Sequence, residues 1–124
     1  MGAYSDLELE MIAIACHMAN RAYCIALGDM TQPMWGAAPD WQKSSARSGV
    51  RMALDNPSQT PEDSHKSWMD LKLSEGWKYG PVKDADKKEH PCIKPYSELP
   101  EAQRRKDDMF LAMVHEYRLH VGRL

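Results

Sequence analysis

Apolar positions recur at steps of three and four in four separate segments of this chain, the period of helices with one covered face. From Ser5 to Leu27 the predicted stripe is Leu7, Met11, Ala15, Met18, Ala22 and Ala26. Ser5 and Glu8 are spaced as a capping box, and Gly28 ends the helix. A loop broken by Pro33, Gly36 and Pro39 follows. A second helix is predicted from Asp40 to Leu54 with Ala46, Val50, Ala53 and Leu54 inward; Asn56-Pro57 stops it, because the residue before proline avoids helical geometry. The third starts in "TPEDSHKSW": Thr60 caps, Pro61 takes the first helical position, and Glu62 and Asp63 favour the positive end of the dipole. Trp68 and Leu71 share its inner face with Ser64 or His65, and Gly76 ends it. The last helix is predicted from Pro100 to His120, with Met109, Met113, Val114, Tyr117 and Val121 inward and Arg104, Arg105, Lys106, Asp107 and Asp108 in solvated early turns. No segment sustains a period of two, so no strand is expected. The expected fold class is all-α, a small bundle of four helices with a long ordered loop between the third and the last.

That loop carries the least conventional stretch, "EGWKYGPVKDADKKEHPC" from Glu75 to Cys92. A disordered linker has no need of Trp77 and Tyr79. A core element would not tolerate Lys78, Lys83, Lys87 and Lys88. The aromatics are therefore expected to pin an otherwise charged loop to the bundle.

Composition narrows the setting. The 124 residues suit one domain, taken as 1–124, and suffice for a core without staples. Net charge is −2, so there is no overall field for nucleic acid or an anionic membrane, and any electrostatic recognition must be local. Cys16 and Cys24 lie eight residues apart on one predicted helix, about 12 Å, too far for a disulfide. Cys92 has no evident partner. Three free thiols, no signal-peptide pattern and no long apolar window lead to the expectation of a cytoplasmic protein without a membrane span.

Familiar catalytic signatures are missing. There is no phosphate-binding GxxxxGK[ST] loop, no GxGxxG and no GxSxG elbow. "HEYRLH" resembles a zinc-protease helix, but His115 and His120 are five apart, about 140° around a helix, so their rings cannot meet. "HPC" supplies two soft ligands without a second pair, and the acids of "DADKKEH" lack an EF-hand register. No metal, no cofactor and no enzymatic activity are expected; pairing Cys92 with a histidine is possible on paper, but nothing selects the partner.

Residues 65–100 resemble the RyR repeat domain. The shared pattern is "HKSW" followed by GW-x-YGP-V-x-D, K-x-HPC and PY-x-x-LP in "EGWKYGPVKDADKKEHPCIKPYSELP". "NRAYCIALGD", "PDWQKSSARSGVRMAL" and "TPEDSHKSW" also look like the stand-alone prokaryotic or phage form, so the resemblance runs from Ile14 to Val114. The resemblance implies a compact helical domain and an adenine nucleotide or nucleotide-derived messenger as ligand. It also implies a sensor in anti-phage defence, or in a phage copy a sponge for the signal. Repeats that pack in pairs in the receptors imply an alternative role, a protein-interaction module that forms a homodimer.

A nucleotide needs a π-face for its base and donors for its phosphates. Trp68, Trp77 and Tyr79 offer the first, although Trp68 at helical spacing serves equally as core. Lys78, Lys83, Lys87 and Lys88 offer charge, with His90 as a further donor and Asp84 as an acceptor for a base edge or ribose. Alternation with Asp84, Asp86 and Glu89 also fits a solvated, nearly neutralised loop. The stand-alone family pattern implies Asn20, Arg21 and Tyr23 as the opposite wall. Trp35 and Trp41 flank the first loop as core cover or as a groove wall.

Overall fold

Ser5 and Thr60 start two of the helices by the same device. In the computed structural model, which describes residues 4–121 and side chains 4–118, each hydroxyl accepts from the backbone N–H three residues on. Glu8 and Asp63 return the bond to the cap's own N–H. The helices are α1 (Asp6–Ala26), α2 (Asp40–Asp55), α3 (Pro61–Ser74) and α4 (Glu101–Val121). Boundaries match the sequence expectation to within a residue or two. Arg118 on α4 donates to the carbonyl oxygens of Ala53 and Leu54 at 2.6 and 3.0 Å, satisfying acceptors that the end of α2 leaves open.

Three of the four helices make the apolar core. Leu9, Ile12 and Ala13 of α1, Val50, Ala53 and Leu54 of α2, and Leu111 and Val114 of α4 form one buried cluster. The α2 stripe and Val114 are as expected, Leu111 replaces the methionines at the centre of α4, and the side chain of Val121 lies outside the described residues. The α1 stripe is corrected. Leu7 is 69% and Met11 52% exposed, and Ala22 and Ala26 also face solvent. The buried row is Leu9, Ile12, Ala13, His17 and Cys24, rotated around the helix. Both faces of α1 are apolar enough to qualify, and the face that packs also carries polar residues, which hid it from a hydrophobicity count. Cys16, Cys24 and Cys92 are free thiols.

α3 joins on different terms. Its buried residues are Ser64, His65 and Lys72, and among the described residues it adds nothing to the apolar cluster. It docks through rings and carbonyls instead. His65 Nε2–H donates to Lys94 O at 2.8 Å, and its ring stacks on Trp68 at 5.6 Å.

The expectation of no strand is also corrected. β1 (Lys78–Tyr79) pairs in parallel with β2 (Glu89–His90), through Lys78 N–H to Lys88 O and Gly80 N–H to His90 O. Two residues per strand are too few to show a period, so the pattern could not reveal them. Gly80 is required by proximity: a Cβ there would sit 2.6 Å from Glu89 Cβ. Gly80→Ala is expected to part the strands and cost about 1–3 kcal/mol, measured by urea unfolding; a change within a few tenths of a kcal/mol would show the pairing to be dispensable.

Candidate functional site

The site begins with the end of α3. Gly76 takes φ +91°, a backbone region that side chains other than glycine rarely adopt. This turns the chain so that Trp77 N–H reaches back to Lys72 O at 2.9 Å, the long bond of a Schellman motif. Trp77, only 7% exposed, is thereby laid over Lys72, with Nζ 5.4 Å from its ring centre. Trp41, from the start of α2, adds a second ring at 4.9 Å, beside the first, and the two indoles lie 5.8 Å apart. Lys72 is 3% exposed. Its acid partner, Glu75 Oε1, stands off at 3.6 Å, longer than a good hydrogen bond. An ammonium has three donors. Here they meet two π-faces and one distant carboxylate. Burial pushes the Lys72 pKa down, partly offset by Glu75.

Lys72, Trp77 and Trp41 line a cleft of about 520 Å³ between the helices and the loop, within the usual range for small-molecule sites. Trp68, Phe110, Met109 and Met113 supply apolar wall. Gln42, Ser45, Ser67 and Asn20 supply neutral polar groups, and Lys83, Lys106, His90 and Asp107 supply titratable ones. His90 is held twice: Trp68 meets its ring edge-on at 5.0 Å, and Nδ1 accepts from Cys92 N–H at 3.0 Å. The proton of the neutral imidazole therefore sits on Nε2, leaving a donor. Burial, then Lys83, Lys72 and Lys106, push the pKa of His90 down to about 4. Burial, with repulsion from Asp108, pushes Asp107 up to about 7. Burial also raises Cys16 to about 12, which leaves it an unreactive thiol lining the cleft.

The structure divides the sequence-proposed residues. Trp68, Trp77, Lys83, His90 and Asn20 line the cleft. Lys78, Tyr79, Asp84, Lys88 and Tyr23 do not line it. Lys78 pairs loosely with Glu89 at 3.8 Å, and Tyr79 is 54% exposed. Asp84 Oδ1 accepts from the N–H groups of Asp86 and Lys87, shaping the loop tip. Lys88 donates to Glu75 O at 2.7 Å. Tyr23 donates to Ala102 O at 3.2 Å, on the α4 side of α1. Trp35 covers the core and donates to Glu10, whereas Trp41 is a wall of the cleft.

Lys72, Lys106 and Asp107 were missed as site residues, the latter two because charged early turns of a helix read as solvated. A signal existed. Ser64, Trp68 and Lys72 follow one another at steps of four along α3, which puts the lysine on the inner row. On α4, steps of three and four likewise link Lys106 and Asp107 to Phe110, and Phe110 to Met113 and Val114.

The chain matches the RyR domain family over residues 55–116, half of its length, and belongs to that family. The matched segment includes the cage residues Lys72 and Trp77, the cleft-lining His90 and the whole paired loop. Among the described residues no helix is long and apolar enough to cross a membrane, and no group of three or more His, Cys, Asp or Glu could hold a metal ion.

Asp107 makes a stability prediction. Its folded pKa is raised above the ordinary carboxyl value of 3.8 to about 7, so its cost is absent below about pH 4, grows to about pH 7 and is constant above. Asp107→Asn should therefore gain stability over wild type across that window, by roughly 2 kcal/mol at its upper end after allowing for partial solvation. Urea melts at several pH values test it; a difference that does not change with pH would contradict the burial of this carboxyl. His90, lowered to about 4, adds the opposite slope from about pH 4 to its ordinary 6.5 in both proteins and cancels in the comparison.

Proposed function

We propose that this chain is a non-enzymatic binding domain whose cleft takes a nucleotide or nucleotide-derived messenger. The observation that carries the reading is Lys72, a buried ammonium caged by two indoles with its hydrogen-bonding capacity largely unused. Removing such a charge from water costs several kcal/mol. A phosphate in the cleft would offset that cost by supplying charged acceptors. Lys83, Lys106 and the Nε2–H of His90 line the same space and add donors. An exposed edge of Trp41, with Trp68 and Phe110, offers faces for a base, each stack worth about 1–3 kcal/mol. Free thiols suit a reducing cytoplasmic setting. A domain that binds without turnover would serve as a sensor or as a sponge in anti-phage defence.

A panel of mono-, di- and cyclic nucleotides in thermal unfolding and calorimetry tests this. The wild type should gain Tm with at least one of them. Lys72→Met should be as stable as wild type or more so, because a buried charge is replaced by an apolar chain of similar length, yet lose the response at least tenfold in affinity. Trp77→Ala should also lose it. A panel without any shift, or equal binding by Lys72→Met, would sink the reading.

A second reading has its own observation. The apolar α1 row Leu7, Met11, Ala15, Met18, Ala22, Ala26, exposed except for the half-buried Ala15 and Met18, is self-complementary when two copies run antiparallel: Leu7 meets Ala26, Met11 meets Ala22 and Met18 meets Ala15. Large against small in both directions is what a two-fold interface requires. We propose a homodimer through this face, outside the cleft. Sedimentation should give a dimer for wild type and a monomer for Met11→Glu; a wild type that stays monomeric at about millimolar concentration removes it.

A further inference from the structure

Among the described residues that line the cleft, Asp107 carries the only carboxyl, and it makes no hydrogen bond or ion pair with any of them. It stands three residues before Phe110, on the same face of α4. Its surroundings differ from those of the caged lysine. Lys72, Lys83 and Lys106 converge electrostatically on His90, whereas the charges that act on Asp107 are its chain neighbours Lys106 and Asp108. The cleft therefore carries three cations, Lys72, Lys83 and Lys106, a neutral imidazole at His90, and a single carboxyl, Asp107, on the α4 face that also presents Phe110.

We propose that Asp107 is the specificity-determining contact of this cleft, using both carboxyl oxygens to pair with a heterocyclic edge that presents an N–H beside a lone-pair atom. This rests on the nucleotide reading and names which part of the nucleotide the protein distinguishes. The chemistry follows from burial. A carboxyl held neutral has one hydroxyl donor and one carbonyl acceptor side by side. An amino group next to a ring nitrogen, as on adenine, offers the complementary acceptor and donor about the same distance apart. An apolar wall would leave both ligand groups unpaired, and unpaired buried polar groups are where recognition discriminates most strongly. Burial and the neighbouring Asp108 both favour the neutral carboxyl, with Lys106 opposing. Other titratable groups facing the cleft are Cys16 and His17 from α1, Lys72 from α3, Lys83 and His90 from the loop and Lys106 from α4, with Cys92 close by.

The probe is adenosine 3′,5′-cyclic monophosphate, whose phosphodiester charge does not titrate near neutrality, together with its analogue lacking the 6-amino group. Binding is measured by calorimetry at about pH 6 and about pH 8.5, either side of the carboxyl's transition. Wild type should bind the amino compound roughly tenfold more weakly at the higher pH. Asp107→Asn keeps one donor and one acceptor in place and should bind it equally at both. Deleting the amino group should cost wild type about tenfold at the lower pH and cost Asp107→Leu nothing, the coupling that direct contact requires. Circular dichroism confirms that both variants fold. An equal loss in wild type and Asp107→Leu, or a pH dependence that survives in Asp107→Asn, overturns the inference while leaving Lys72-dependent binding intact. Failure of this probe where another nucleotide of the panel binds overturns the inference alone; failure of the whole panel overturns the nucleotide reading with it.

Discussion

The fold-back at Gly76 is the constraint on which the rest depends. A positive φ there lets Trp77 bond back to Lys72 O and lie across the lysine's own side chain. Six consecutive residues, Lys72 to Trp77, thus build most of a cation cage from local chain geometry. The second wall, Trp41, arrives from α2. Trp77 also touches His90 at a 6.3 Å ring separation, and His90 belongs to the strand that pairs with the residues just after Trp77. Turn, cage and loop pairing are one connected unit: moving Trp77 would uncover Lys72, displace β1 and loosen the ring that β2 presents to the cleft.

The helices divide their work around that unit. α1, α2 and α4 hold one another by apolar burial, the non-directional force that dominates folding. α3 contributes a serine, a histidine and a lysine to its buried face, groups that need partners at defined positions. A helix docked in this way cannot close down on its neighbours as an apolar one would, since closing would bury polar atoms without partners. The cleft is the space left between a three-helix core and a fourth helix held by directional contacts. Its polar lining is thus a cause of its existence.

Helix positions and caps were legible because they depend on neighbours in the chain: Ser5 with Glu8, Thr60 with Asp63, Pro57 after Asn56. Which face of α1 turns inward was not. The inner row runs from Leu9 and Ile12 to His17 and Asn20 because its first half meets the core and its second half meets the cleft and first loop. A single hydrophobicity stripe cannot represent a face that changes partner midway. The site was half legible for a related reason. Aromatics in a charged loop announce themselves, so Trp77 and His90 stood out, whereas Lys72, Lys106 and Asp107 sit within helices where charged residues are ordinary. Only their place on an inward row distinguishes them, and that depends on packing.

Loop lysines show how little a charge says before its partner is known. Lys78 turns to Glu89 and Lys88 to a backbone carbonyl, so these act on the loop itself. Lys83, from the same stretch, faces the cleft and joins Lys72 and Lys106 in acting on His90. A chain with net charge −2 thus concentrates three cations around one neutral imidazole in a partly dry space, where each interaction is less screened than at the surface. That arrangement opposes folding, because like charges are gathered and one of them is buried. On the proposed reading an anion of matching size would relieve it, most of all at Lys72, which is 3% exposed. Whatever share of that cost a bound anion relieved would, on the same reading, add to its affinity and to the stability of the occupied fold.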